Sequence, residues 1–167
     1  MIIKEADVKY IDEIAIIHCD SWKSTYKDIV PADLLEKRTY SEQKEKWLKR
    51  LFNNDNTNEF MYLALTDDDK VIGFATGSID DPNKEHDSIL FCLYIDDKYH
   101  KCGIGRKLVE KIKSELKKQG AEDMVLWAYK DNTACSFYEH IGGKREKEMT
   151  DNIGGKEIKE VSFVFKL

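Results

Sequence analysis

The period of the hydrophobic positions changes several times along the chain, and each change marks an element. Ile2-Ile3-Lys4-Glu5 reads as a short strand. Asp7 is placed to cap a helix whose apolar positions, Val8, Ile11, Ile14, Ala15, His18 and Trp22, recur at helical spacing. Pro31 opens a second helical piece, interrupted around Thr39-Tyr40-Ser41 and resumed through Trp47, Leu48 and Leu51, before a polar loop from Asn53 to Asn58. From Glu59 the period drops to two. Phe60–Leu65 and Val71–Gly77 read as strands of a hairpin turned by Asp67-Asp68-Asp69-Lys70. Ser88–Ile95 is apolar almost throughout, which predicts a strand buried on both faces in the middle of a sheet. A helix follows, with Leu108, Ile112 and Leu116 at four-residue spacing and Gly120 as its stop. Met124–Tyr129 is a further strand, and Asp131-Asn132 precede a short helix, Thr133–His140, halted by Gly142-Gly143. Lys144–Met149 and Glu157–Leu167 alternate about the Ile153-Gly154-Gly155 turn, as antiparallel partners. No repeat, linker or low-complexity tract interrupts this order, so a single α/β domain over 1–167 is expected.

The chemistry concentrates at the glycine turn. In His100-Lys101-Cys102-Gly103-Ile104-Gly105-Arg106-Lys107 the two glycines sit where the helix begins. Its first N–H groups lack intrahelical partners there, and no side chain blocks a ligand. Such a helix start is an anion site, and phosphate is the natural anion. The mononucleotide loop is excluded because one residue, not four, separates the glycines and Arg106-Lys107 follows them. The dinucleotide fingerprint is excluded because its third small residue would fall at Leu108.

The stretch resembles the acetyl-CoA-binding motif of the GNAT superfamily of N-acetyltransferases, Gln/Arg-x-x-Gly-x-Gly/Ala. His100 stands where the family has Gln or Arg. A second family signature is present as Asn132-x-Ala134-x-x-Phe137-Tyr138 followed by Gly142, and the element order is also that of a GNAT chain. The resemblance therefore implies a mixed central sheet flanked by helices, with acetyl-CoA as co-substrate.

Composition narrows the picture further. A net charge of −5 argues against general nucleic-acid binding, which needs clustered Lys and Arg. The four cysteines form no CxxC pair, which fits reduced thiols and an expected cytoplasmic location. No run approaches membrane-spanning length, and the histidines are too scattered to hold a metal with the cysteines.

By resemblance, residues 102–106 face the coenzyme pyrophosphate through their amides: Cys102, Gly103, Ile104, Gly105 and Arg106. Lys101, Arg106 and Lys107 add positive charge. A bulge at Leu93-Tyr94-Ile95 would open the central strand for the pantetheine arm and give the thioester oxygen a backbone donor, with Tyr94 catalytic in that sense. Tyr138 would protonate the leaving thiolate, and its other reading is a packing residue. Asn132 is a helix cap first and a coenzyme contact second. Cys102 lacks an evident base and orienter for nucleophilic work. The general base is open between His86 and Asp87, acting directly or through water, because Ile89 holds the position where many relatives carry Glu. Trp22 and Tyr26 are either acceptor-site aromatics or core. The expected reaction is direct acetyl transfer to a small-molecule or peptide primary amine. An acyl-CoA sensor of the same fold is the alternative, and a homodimer stays open.

Overall fold

The two-residue period from Glu59 folds as a hairpin, and the rest of the sheet grows outward from it. The computed structural model describes residues 1–167. Glu59–Leu65 (β2) pairs antiparallel with Val71–Ser78 (β3), and Asp69 takes a φ of 61° in the turn. Ile2–Glu5 (β1) lies on the outer side of β2, and Ile89–Ile95 (β4) lies on the other side of β3. Asp123–Tyr129 (β5), Lys144–Ile153 (β6) and Lys156–Lys166 (β7) complete seven strands in the order β1-β2-β3-β4-β5-β7-β6. All neighbours are antiparallel except β4 and β5, which are parallel. This is the expected α/β architecture, a mixed sheet flanked by helices.

Side-chain alternation divides the core between the two faces of the sheet. Met61, Leu63 and Leu65 pack with Ile11–Tyr26 (α1) and with Trp47 of Tyr40–Trp47 (α3). Tyr62 and Ala64 face the opposite way, toward Ile104–Lys118 (α4) and Ala134–His140 (α5). The short helix Ala32–Glu36 (α2) packs through Leu35 against Ile158 of β7. Local chemistry sets the helix ends. Thr39 and Glu42 form a reciprocal capping box on α3. Gly120, at φ 95°, ends α4 while Ala121 N donates to Leu116 O and Gly120 N to Lys117 O.

Four expectations need correction. Asp7 caps a single 3-10 turn, Val8–Tyr10, rather than α1 itself, and Val8 is 49% exposed. The second helical piece is two helices, α2 and α3, because Thr39 starts a new cap. β4 is buried on both faces only at Ile89 and Leu90; Phe91–Ile95 are half-buried because they border a cavity. β6 is exposed along nearly its whole length rather than one-sided. It is an outer strand rich in Lys, Arg and Glu, which protects an open edge from further pairing.

Candidate active site

β4 is irregular where it matters. Thr76 pairs with Cys92 but the neighbouring Gly77 pairs with Leu90, so Phe91 is an extra residue, a bulge in β4. On its other side β4 meets β5 through a single ladder pair, Ile89 with Val125, supported by Val125 N donating to Ser88 O at 3.0 Å. Beyond that rung the two parallel strands part. The bulge thus sits at Phe91, earlier than Leu93-Tyr94-Ile95, but the opening falls where it was expected. Asp96 N donates to Ile72 O on β3 at 3.0 Å. Strand alternation then turns Tyr94 toward β3 and the N–H groups of Leu93 and Ile95 toward the gap. Ile95 O agrees: it accepts from Ser21 Oγ and His100 Nε2, each at 3.1 Å. The amide available at the gap therefore belongs to Leu93 or Ile95, which corrects the assignment of a backbone role to Tyr94.

The gap widens into a cavity of about 700 Å³. Leu93, Tyr94 and Ile95 form its strand wall, and His100, Lys101, Gly103, Ile104, Gly105 and Arg106 form the wall at the start of α4. Asn132 and Tyr138 close it from the α5 side, and Tyr26 enters from α1. Cys102, Lys107 and Trp22 are outside this lining. No amide from Lys101 to Arg106 donates to another atom of the chain. Gly103 makes this possible with a φ of 75°, and a Cβ built there meets nothing within 4 Å, so the approach is open. Gly105 serves packing instead, since its Cβ would lie 3.1 Å from Phe137 and 3.2 Å from Ile95. Six free amides, a helix start and the exposed side chains of Lys101 and Arg106 suit a phosphate-bearing ligand. His100, which departs from the Gln/Arg of the motif, uses its ring to cap the Ile95 carbonyl.

Comparison with known proteins agrees with this geometry. The profile of the acetyltransferase (GNAT) family matches residues 22–142, which include all of the cavity wall except Ser21. The chain belongs to the GNAT family. Over 160 residues it is 31% identical to an uncharacterized N-acetyltransferase of Bacillus subtilis, covering 95% of this chain and 89% of that protein. A spermidine N(1)-acetyltransferase of Thermoplasma acidophilum is 26% identical over 148 residues, 86% and 88% of the two chains. The crystal structure of PaiA N-acetyltransferase from the same organism, in complex with coenzyme A, superposes with a TM-score of 0.74. It shares 27% identity and covers 96% of this chain and 98% of that one. The GNAT chain is accordingly an acetyl-CoA-dependent N-acetyltransferase, with acetyl-CoA as co-substrate. None of its helices is long and apolar enough to cross a membrane.

Burial sets the proton chemistry of the site. Tyr138 is 8% exposed, and its hydroxyl makes no hydrogen bond within the chain. Burial, with minor repulsion from Tyr26, raises its pKa well above the ordinary phenol value. Tyr26 and Tyr94 are raised for the same first reason, and Tyr129 is pushed up to about 12. These phenols therefore keep their protons throughout the neutral range. The Cys92 thiol is pushed up to about 12 by burial and is no nucleophile at neutral pH. Asn132 acts as the expected cap, its Oδ1 accepting from Ala134 N at 2.9 Å.

His86 and Asp87 are not brought to the cavity. They sit at the closed end of β4, beyond the last rung shared with β5. His86 bridges Asp123 through Nδ1 and Glu146 through Nε2, each at 2.9 Å. Asp87 Oδ2 accepts from Glu122 N at 2.8 Å, and Asp87 N donates to Asp123 Oδ1 at 2.9 Å. Both are structural clamps outside the cavity lining, so neither open candidate for the base stands at the cavity. Sequence reading missed Arg38 and Glu59 on the α1 face. Glu59 pairs with Ser78, which pairs with Ile89, so it lies in register with Ile89, two strands away. Its side chain is 6% exposed, bonds Arg50 at 2.5 Å and leaves Oε1 without a partner. Neither residue lies in a motif, so no local signal pointed to them. Trp22 packs against Tyr26 with centroids 4.4 Å apart and the rings tilted by 58°, and Tyr26 meets Tyr129 edge-on at 5.2 Å.

Proposed function

We propose that the protein moves the acetyl group directly from acetyl-CoA to a primary amine within one ternary complex. Acetyl-CoA supplies the acyl group and a thiolate leaving group. The amides from Lys101 to Arg106 hold the phosphates, and the Leu93 or Ile95 N–H receives the carbonyl oxygen as negative charge develops on it. The amine gives its proton to solvent, its nitrogen bonds the carbonyl carbon, and the carbon–sulfur bond breaks. Tyr138 donates its hydroxyl proton to the departing sulfur and regains one from solvent, which closes the proton balance. Tyr26 lines the approach of the acceptor, with Trp22 packed behind it.

The observation that carries this reading is the gap itself. A strand with two inward amides unpaired, a helix start with six free amides and a protonated, unbonded phenol face one cavity. Amine substrates are supported by the spermidine and ribosomal-protein alanine acetyltransferases among the relatives. Initial velocities measured against both substrates test direct transfer. Intersecting lines are expected, since no activated thiol lines the cavity. Parallel lines with a stable acetylated Cys102 would replace it by a two-step route.

A further inference from the structure

Beside the reacting centre, on the α1 face of the sheet, a group of hydrogen-bond donors lacks acceptors. Arg38 is half-buried and forms no ion pair with any carboxylate of the chain. Its guanidinium lies 3.8 Å from the centre of the Trp22 ring, and the indole Nε1 of Trp22 is buried without a partner. Arg38 Nη1 reaches Gln43 Oε1 at 3.4 Å. That contact fixes the Gln43 amide, whose Nε2 is the remaining donor. Gln43 is 1% exposed and its Nε2 has no partner.

His18 adds a fourth donor. Trp47 Nε1 donates to His18 Nδ1 at 3.0 Å. Burial, then Arg38, Lys46 and Arg50, hold the His18 pKa down at about 3, so the ring is neutral. With Nδ1 accepting, the ring hydrogen sits on Nε2, which lies 3.3 Å from Arg38 Nη1. Two donors thus face each other with no acceptor between them. Buried donors without acceptors are costly, and an unpaired guanidinium beside them favours an anion. Arg38 and Gln43 also line a cavity of about 410 Å³ between α2 and α3, where Lys37, Lys46 and Lys49 outnumber Glu42 and Glu45. At Arg38 and Gln43 the cluster is therefore reachable from solvent. It is also close to the chemistry: the His18 ring stacks on Tyr94 with centroids 4.6 Å apart, and Tyr94 lines the coenzyme cavity.

We propose that Arg38, with His18, Gln43 and Trp22 around it, receives a carboxylate carried by the acceptor amine. The preferred acceptor is then an amine of amino-acid type, not a polyamine. This assignment rests on the acetyl-transfer reading and narrows it. Arg38 suits a carboxylate because its planar fork can donate two parallel bonds. A polyamine would instead bring positive charge against Arg38 and the lysines around it.

Matched pairs of amines that differ only by the carboxylate provide the test: tyrosine with tyramine, lysine with cadaverine, and spermidine as the polycation. Coenzyme A release should favour the carboxylate member of at least one pair by about 10²-fold in kcat/KM, because a desolvated donor site discriminates strongly against a missing partner. In Arg38→Gln that ratio should fall to within about threefold of one, and Arg38→Lys should restore part of it. Acetyl-CoA calorimetry on each variant shows whether it is folded, since that binding depends on α4 and β4.

A second readout does not need turnover. The thermal midpoint of the coenzyme A complex should rise with N-acetyltyrosine but not with N-acetyltyramine, and the rise should vanish in Arg38→Gln. Preference for the decarboxylated amines or spermidine, or a carboxylate preference that survives Arg38→Gln, overturns the proposal. Absence of any N-acetyltyrosine shift also overturns it. Absence of coenzyme A release with every amine, alongside an Arg38-dependent shift, would instead overturn the transfer reading and leave the carboxylate site standing.

Discussion

The two ends of β4 are built from similar apolar residues yet treat their polar groups in opposite ways. At the Ile89 end β4 is fastened to β5 by backbone and side-chain hydrogen bonds. Val125 N reaches Ser88 O, Ser88 Oγ donates to Asp123 O, and His86 and Asp87 fasten the start of β5 and the facing part of β6. At the Ile95 end β5 has moved away, and the Leu93 and Ile95 amides face a cavity. The bulge at Phe91 separates the two regimes. One end holds the strands together so that the other can hold them apart. Unpaired backbone near the interior persists when a ligand supplies the missing partners, and the clamp keeps the gap from closing.

Removing the Tyr138 hydroxyl should give the largest effect, and it touches only the open end. Tyr138→Phe keeps the ring packed on Phe137 and Phe163, whose centroids lie 5.5 and 5.6 Å away. Single-turnover rates should fall by roughly 10²–10⁴, the span for one general acid, while acetyl-CoA affinity and thermal midpoint change little. A wild-type rate where chemistry limits would make Tyr138 a packing residue.

Next in size is Gly103→Val. The φ of 75° strains a β-branched residue, and its side chain would project into open space over the free amides. Calorimetry should show acetyl-CoA affinity lowered by at least about 10²-fold. Lys101→Ala, which removes an exposed charge and no amide, should cost only a few-fold, roughly 0.3–1 kcal/mol. Equal losses in the two variants would mean that charge, not backbone, grips the coenzyme.

The smallest effect belongs to the closed end and concerns stability. Burial disfavours the charge on His86, but hydrogen bonds to Asp123 and Glu146 outweigh it and raise the pKa above the ordinary value. A raised folded-state pKa means that His86 stabilises fully below the unfolded value near 6.5 and loses this as pH rises through the folded value. His86→Gln should therefore be less stable than wild type by about 1–2 kcal/mol at pH 6 in urea titrations, with the difference shrinking by pH 9. A difference that grows with pH would contradict the ion-pair account. Acetyl-CoA affinity should be indifferent to this substitution.

Much of the fold was legible because period and turn chemistry agree along most of the chain. The hairpin, the glycine-headed helix and the Gly120 stop follow from local residues alone. Part of the cavity wall was legible too, since Gly103, Gly105, Asn132 and Tyr138 sit in short motifs and line one cavity. Roles that depend on register were not. Whether Tyr94 or its neighbours present an amide to the gap turns on one extra residue at Phe91, and a bulge leaves no trace in an apolar run. His86 and Asp87 are near Ile89 in sequence, but strand direction carries them to the far end from the cavity. Arg38 reaches His18 and Trp22 only through tertiary packing.

Residue-resolved amide hydrogen exchange compares the two ends of β4 most directly. Without ligand, the amides of Leu93, Ile95 and Lys101–Arg106 should exchange fast, and those of Asp87 and Val125 slowly, because only the latter have acceptors. Saturating acetyl-CoA should slow the first group markedly and leave the second almost unchanged. Strong new protection elsewhere in the chain, with no change at Leu93, Ile95 and Lys101–Arg106, would contradict the account.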